Sequence, residues 1–192
     1  MMDKQVNLAI LASGSGSNAE NITKYFDTHP NIQVKEILSN KPDAFVHERA
    51  RKLDIPSSTF TRDQFRDSSF IKRLEDIDYI ILAGFLWLIP QFLVKSFPNR
   101  IINIHPSLLP KFGGKGMYGD HVHKAVIEAG EKESGITIHL VNEEYDKGKI
   151  LFQAKCEVEP SDTPDSLASK IHSLEYTHFP KTIESYIVAQ NS

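Results

Sequence analysis

Gln5-Val6-Asn7-Leu8-Ala9-Ile10-Leu11-Ala12-Ser13-Gly14-Ser15-Gly16-Ser17-Asn18 is the stretch on which the fold turns. Residues 5–12 form a short apolar run that stops at Ser13-Gly14, the pattern of a buried strand. A helical pattern follows over residues 18–27. A strand, a glycine-rich turn and a helix open a parallel α/β sheet. The glycines permit a sharp turn and a close approach of backbone to a ligand. The amides of Gly16, Ser17 and Asn18 then face out of a helix N-terminus, where free N–H groups and the helix dipole favour a phosphate. The same turn also reads as a strand–helix connection closed by serine and asparagine caps, with no ligand.

Working outward, strands are expected at residues 33–38, 55–60, 78–83 and 100–104, and helices at 45–53, 63–74 and 90–96. Residues 106–119 are irregular, and a helix follows over 120–129. Residues 135–141 and 150–158 alternate as strands. Thr163-Pro164 opens the last helix, with threonine as N-cap and proline at the first position. Alternating strands and helices imply right-handed crossovers and a doubly wound, mostly parallel sheet with helices on both faces, a Rossmann-like α/β fold. No helix separates the last two strands, so one of them is expected to be antiparallel. No linker or repeat interrupts the chain, and residues 1–192 are expected to form a single domain. Ligands in such sheets bind at the carboxyl ends of the strands.

The net charge of −3 argues against a general nucleic-acid binder, which carries a clustered basic excess. Cys156 is the single cysteine, so no internal disulfide forms, and a reducing, cytoplasmic setting is expected. It reads as a small buried hydrophobe. Residues 1–4 show none of the regions of a signal peptide, and no apolar run reaches the length of a membrane span.

The turn matches G-x-G-x-x-A through Gly14, Gly16 and Ala19. A dinucleotide site also needs an acid at the end of the second strand. That end reads Ser39-Asn40, and Glu36 falls mid-strand, which weakens a nicotinamide reading. Asn103-Ile104-His105-Pro106-Ser107 ends another strand. Asn103 and His105 are two apart and share a face. An asparagine amide can donate to an oxyanion, and a histidine moves protons near neutral pH. The same pair also serves as a loop cap. Asp146, in the Val141–Gly148 loop, would raise the His105 pKa and orient the ring if it lay close; taken alone, Asp-x-Gly reads first as ordinary turn chemistry. His121 and His123 are two apart on a helix, so they do not face one ligand, and no metal site is expected. They suit the support of the loop after His105. His139 is either support for the same site or a packed histidine.

These residues together resemble a specific family, the phosphoribosylglycinamide formyltransferases among the folate-dependent formyltransferases. The likeness runs over almost the whole chain. It rests on residues 13–18, Ser39-Asn40-Lys41, Leu82-Ala83-Gly84-Phe85, Asn103-Ile104-His105-Pro106-Ser107-Leu108-Leu109-Pro110, Gly135-Ile136-Thr137-Ile138-His139 and Asp146. The resemblance implies transfer of a formyl group from 10-formyltetrahydrofolate to the amine of glycinamide ribonucleotide, in purine biosynthesis. It implies Asn103, His105 and Asp146 as catalytic groups, with protonated His105 and Asn103 stabilising an oxyanion and Asp146 keeping His105 charged. It implies Gly16, Ser17, Asn18 and Glu175 as contacts to the ribonucleotide. Leu86, Trp87, Leu88, Ile89 and Asn103 would line the folate pocket, with Arg62 at the folate tail. The folate is consumed as co-substrate, with no permanently bound cofactor and no metal. The partners implied are these small molecules, with no nucleic acid or membrane, and a monomer or homodimer.

The chain departs from the family pattern at Trp87, where many relatives have arginine, at Ser15, where some have asparagine, and in the longer stretch Lys111–Gly119. The alternatives are a formyltetrahydrofolate hydrolase, whose relatives carry a further N-terminal domain, a methionyl-transfer-RNA formyltransferase, which would need a C-terminal RNA-binding domain, and a non-catalytic nucleotide-binding module.

Overall fold

The computed structural model describes residues 5–144 and 146–191; residues 1–4, read above as carrying no leader, lie outside them. Strand β1 (Val6–Ala12) runs through the middle of a seven-stranded sheet. Its order is β3 (Ser57–Thr59), β2 (Ile32–Ser39), β1, β4 (Tyr79–Leu82), β5 (Ile101–His105), β6 (Glu133–Leu140) and β7 (Ile150–Glu157). Strands β1 to β5 pair in parallel. Strand β6 runs against both β5 and β7, so it is the single reversed strand, as the missing helix between β6 and β7 required.

Both faces of β1 are buried, because a parallel sheet is covered on both sides. Leu8, Ile10 and Ala12 join one core with Ile22, Phe26, Ile171 and Phe179. Helices α1 (Ser17–Phe26), α2 (Val46–Lys52), α5 (Asp120–Glu128) and α6 (Pro164–Gln190) contribute to that side. Ala9 and Leu11 point the other way, into a second core with Phe65 of α3 (Arg62–Arg66) and Leu93 of α4 (Gln91–Ser96). The period of two in the strand therefore builds both cores.

The helix expected over residues 63–74 is broken. Helix α3 ends at Arg66, Asp67 is extended, and a 3-10 segment runs over Ser68–Leu74. The Asp67 carboxylate accepts from the Ser69 N–H at 2.7 Å, so the side chain starts a new turn instead of continuing the old one. Helix α6 starts as expected: Thr163 accepts from the Ser166 N–H, and Ser166 accepts from the Thr163 N–H. Among the described residues no helix is long and apolar enough to cross a membrane.

Candidate active site

The strand order reverses direction beside β1: β2 leaves on one side and β4 on the other. A cleft of about 670 Å³ opens at this switch point, at the carboxyl ends of β1, β4 and β5. Its floor is the turn after β1. The Ser13 N–H donates to the Gly84 carbonyl at 3.0 Å and the Ser13 hydroxyl accepts from the Leu86 N–H, also at 3.0 Å. These bonds tie the first turn to the loop that carries residues 84–90.

Gly16 is the N-cap of α1 at φ 74°, and no side chain caps the helix. The serine and asparagine caps of the ligand-free reading are absent, and the amides of Ser17 and Asn18 stand at the cleft floor. A Cβ on Gly16 would lie 2.3 Å from Val46, so glycine is dictated by packing as well as by φ. The Asn18 side chain is engaged: its amide nitrogen donates to Glu175 at 2.8 Å. That bond takes one of its two amide N–H groups, leaving the second N–H and the backbone N–H for an anion. Glu175 is buried on α6, and burial pushes its carboxyl above the ordinary range, against the opposing pull of Asn18 and His172.

Asn103 and His105 project from one face of β5, opposite His139 and Thr137 of β6. On that face Thr137 of β6 and Gln153 of β7 hold the start of the segment 106–119 by hydrogen bonds. Thr137 is fully buried and pins the start of that loop. Its hydroxyl donates to the Ser107 carbonyl at 2.7 Å and accepts from the Leu109 N–H at 3.0 Å and from Gln153 at 2.8 Å. Asp146 reaches the cluster from the segment 141–149. Its Oδ2 lies 3.6 Å from His105 Nδ1 and accepts from the Gly114 N–H at 2.8 Å; its Oδ1 lies 3.6 Å from His139 Nε2.

The ring tautomers follow from the carbonyls they meet, because a carbonyl only accepts. His105 donates from Nε2 to the Phe112 carbonyl at 2.7 Å, leaving Nδ1 toward Asp146. His139 donates from Nδ1 to the Leu140 carbonyl at 2.9 Å, and its Nε2 accepts from the Asn103 amide at 3.1 Å. Asp146 raises the His105 pKa, as its proximity implies, but other influences oppose it. Burial is the largest influence and lowers the His105 pKa; Asp146 and the Phe112 carbonyl raise it, His139 lowers it, and the balance lies below the ordinary histidine value. The Asp146 carboxyl is itself raised by burial, but His139, His105 and the Gly114 N–H together bring it below its ordinary value. Both directions favour an ionised carboxylate beside a neutral imidazole. The ring is oriented by the Phe112 carbonyl, a partner that no side-chain pattern announces.

Leu86 and Leu88 are exposed at the lip of the cleft, Trp87 is half-buried and Ile89 is buried in the second core. Arg62 lies outside the main cleft, in an adjoining cavity that shares Trp87, Leu88 and Ile89. Lys41 also lines the main cleft; its place beside Ser39-Asn40 at the end of β2 was the available sign. His123 lines the cleft too, with Nδ1 buried and unpartnered. His121 packs edge-on against Tyr118, with ring centroids 5.2 Å apart. Among the described residues no group of three or more histidines, cysteines and carboxylates is arranged to hold a metal ion.

Fold and site define a doubly wound α/β protein whose switch-point cleft joins a helix N-terminus to an Asn–His–Asp cluster. The sequence model described as formyl transferase matches residues 6–183. A phosphoribosylglycinamide formyltransferase of Bacillus subtilis is 35% identical, over 95% of this chain and 95% of its own. The chloroplastic phosphoribosylglycinamide formyltransferase of Arabidopsis thaliana is 42% identical over 94% of this chain. The chain spans 65% of that plant relative's length and 61% of the one from Vigna unguiculata. A crystal structure of phosphoribosylglycinamide formyltransferase from Bacillus halodurans superposes with a TM-score of 0.85 at 33% identity, covering 94% of this chain and 95% of that one. The chain belongs to the formyl transferase family.

Proposed function

We propose that this protein transfers a formyl group from 10-formyltetrahydrofolate to the amine of glycinamide ribonucleotide, the activity named for its relatives in B. subtilis and A. thaliana. The observation that carries the reading is the convergence of Asn103, His105 and Asp146 in one cleft with the uncapped N-terminus of α1. The acceptor's phosphate lies against the amides of Gly16, Ser17 and Asn18, and Glu175 contacts its ribose. The pterin end of the donor lies along residues 86–89 and Asn103, with Arg62 toward its tail.

The acceptor's neutral amine attacks the formyl carbon, forming a carbon–nitrogen bond while the carbonyl electrons move to oxygen. The Asn103 amide carries a second N–H beyond the one given to His139, and this donates to the developing oxyanion. His105 starts neutral, so it can take the proton released by the attacking amine at Nδ1. The imidazolium that forms is stabilised by Asp146, 3.6 Å away. The oxyanion then collapses, the bond to the folate nitrogen breaks, and that nitrogen receives the proton. Burial keeps the base free, and the carboxylate favours its charged form only as the charge develops. The chain needs no metal and no covalent nucleophile for these steps. It acts as one domain, in the cytoplasm, as a monomer or homodimer.

The test is the absorbance change on conversion of the folate donor, with and without glycinamide ribonucleotide. Turnover that requires the amine supports transfer. Equal turnover without it would assign the chain to the hydrolases instead.

A further inference from the structure

Helix α2 holds the turn after β1 from outside the cleft. The Val46 N–H donates to the Gly14 carbonyl at 3.2 Å, and Arg49 Nε donates to the Ser15 carbonyl at 2.8 Å. In α1 the Glu20 N–H donates to the Gly16 carbonyl at 2.9 Å. Three successive carbonyls of the turn are therefore fixed. A trans peptide is planar, so its N–H points opposite to its C=O. The peptides after Gly14, Ser15 and Gly16 are trans. Holding their carbonyls turns the N–H groups of Ser15, Gly16 and Ser17 the other way. All three residues line the cleft, and among the described residues none of these N–H groups donates to another protein group. Successive N–H groups presented in this way form a concavity for an anion.

Of the three grips, only the one on Ser15 comes from a side chain. Arg49 is itself locked: it donates to the Glu20 carboxylate, and its guanidinium lies 5.1 Å over the Phe45 ring. It is not part of the cleft wall, so it acts through the backbone it holds.

We infer that Arg49 is a positioning residue for the acceptor's phosphate: by gripping the Ser15 carbonyl it aims the Gly16 N–H into the cleft. The inference rests on the acceptor reading above and adds to it the group that prearranges the phosphate's donors. A turn built on Gly14 and Gly16 has wide backbone freedom, and ordering it at the moment of binding would cost affinity. The Arg49 bond removes that freedom before the ligand arrives.

Ribose 5-phosphate, which lacks the amine, is the probe, titrated into the full chain by calorimetry with ribose as the control. The sugar phosphate is expected to bind more tightly than ribose. Arg49→Ala is expected to weaken it about tenfold, near the low end for one hydrogen bond to a charged group. Arg49→Lys should weaken it about threefold, because an ammonium keeps the charge and loses the planar Nε–H. Glu20→Gln removes the ion pair, keeps an acceptor for the guanidinium, and should leave the affinity within about twofold. In steady-state turnover, Arg49→Ala should raise KM for glycinamide ribonucleotide by a similar factor, with kcat and the KM for the folate donor near those of the unaltered protein. A residue that only stapled α2 to α1 would lower the melting temperature without this split. The inference is overturned by an unchanged affinity in Arg49→Ala or, should that variant not fold, in Arg49→Lys. A loss in Glu20→Gln as large as in Arg49→Ala, a fall in kcat at unchanged KM, or no binding of the sugar phosphate by the unaltered protein would overturn it equally. Binding of the probe needs no formyl transfer, so the inference can fail while transfer stands, and hold where transfer fails.

Discussion

Gly16 shows how one residue couples packing to chemistry. Its φ of 74° costs an L residue about 1–2 kcal/mol, and a Cβ there would meet Val46 at 2.3 Å. Gly16→Ala is therefore expected to lower the melting temperature, and also to raise KM for the phosphorylated acceptor as the first turn of α1 shifts. A melting curve and a KM that both match the unaltered protein would refute this. At the reacting centre, His105→Ala and Asp146→Asn should each cut kcat by about 10²-fold or more, the range for a positioned proton carrier and its partner. Circular dichroism should stay unchanged. Near-normal rates in both variants would remove the pair from the chemistry. Asp146→Asn carries a second expectation: without the carboxylate the His105 pKa falls further, so any pH dependence of kcat from this ring shifts to lower pH.

Among the elements, the reversed strand β6 organises the site. It places Thr137 opposite His105 and His139 opposite Asn103. Thr137→Val keeps the shape but leaves the Ser107 carbonyl and the Leu109 N–H without their buried partner. A loss of about 1–3 kcal/mol in stability is expected, with a fall in kcat because the loop pinned by Thr137 carries the Phe112 carbonyl that orients His105. Denaturant unfolding and steady-state rates check the two effects separately; a variant that loses neither would show the loop to be held elsewhere. The unit β1–turn–α1 was legible because its signals are local: an apolar run, glycines, then a helical period. The pairing of Asn103 with His105 was legible for the same reason, being a strand spacing. The break after Arg66 was missed although Asp67-Ser68-Ser69 carries a cap signal, because the apolar period of Phe70 and Leu74 continues through it. The Phe112 contact had no sign at all, since every residue offers a carbonyl. The bond between Asn18 and Glu175 joins segments far apart in the chain, and residue spacing cannot report such a contact.

At the scale of the whole molecule, the buried titratable groups of the cleft make stability depend on pH. Burial holds His105 and His123 below the ordinary histidine value of about 6.5. For His123 the charges of His172 and His105 add to burial, and Asp120 opposes it. As pH falls through that value, the unfolded chain takes up protons that the folded chain refuses, so stability drops. Glu175 has the opposite sign. Its folded carboxyl is raised, so the folded chain binds a proton first, and stability gains as pH falls through the window above the ordinary glutamate value. Asp146, lowered in the fold, adds a loss only at lower pH still. Two histidines oppose one glutamate, and the melting temperature is expected to decline between about pH 7.5 and pH 5.5. His123→Asn removes one proton site from the unfolded chain and should flatten that slope, whatever it does to the absolute stability. Glu175→Gln removes the compensating group and should steepen it. Thermal melts of the three proteins across this range decide the matter: a slope unchanged by His123→Asn, or flattened by Glu175→Gln, would show that the cleft's buried charges do not govern the acid limit of the fold.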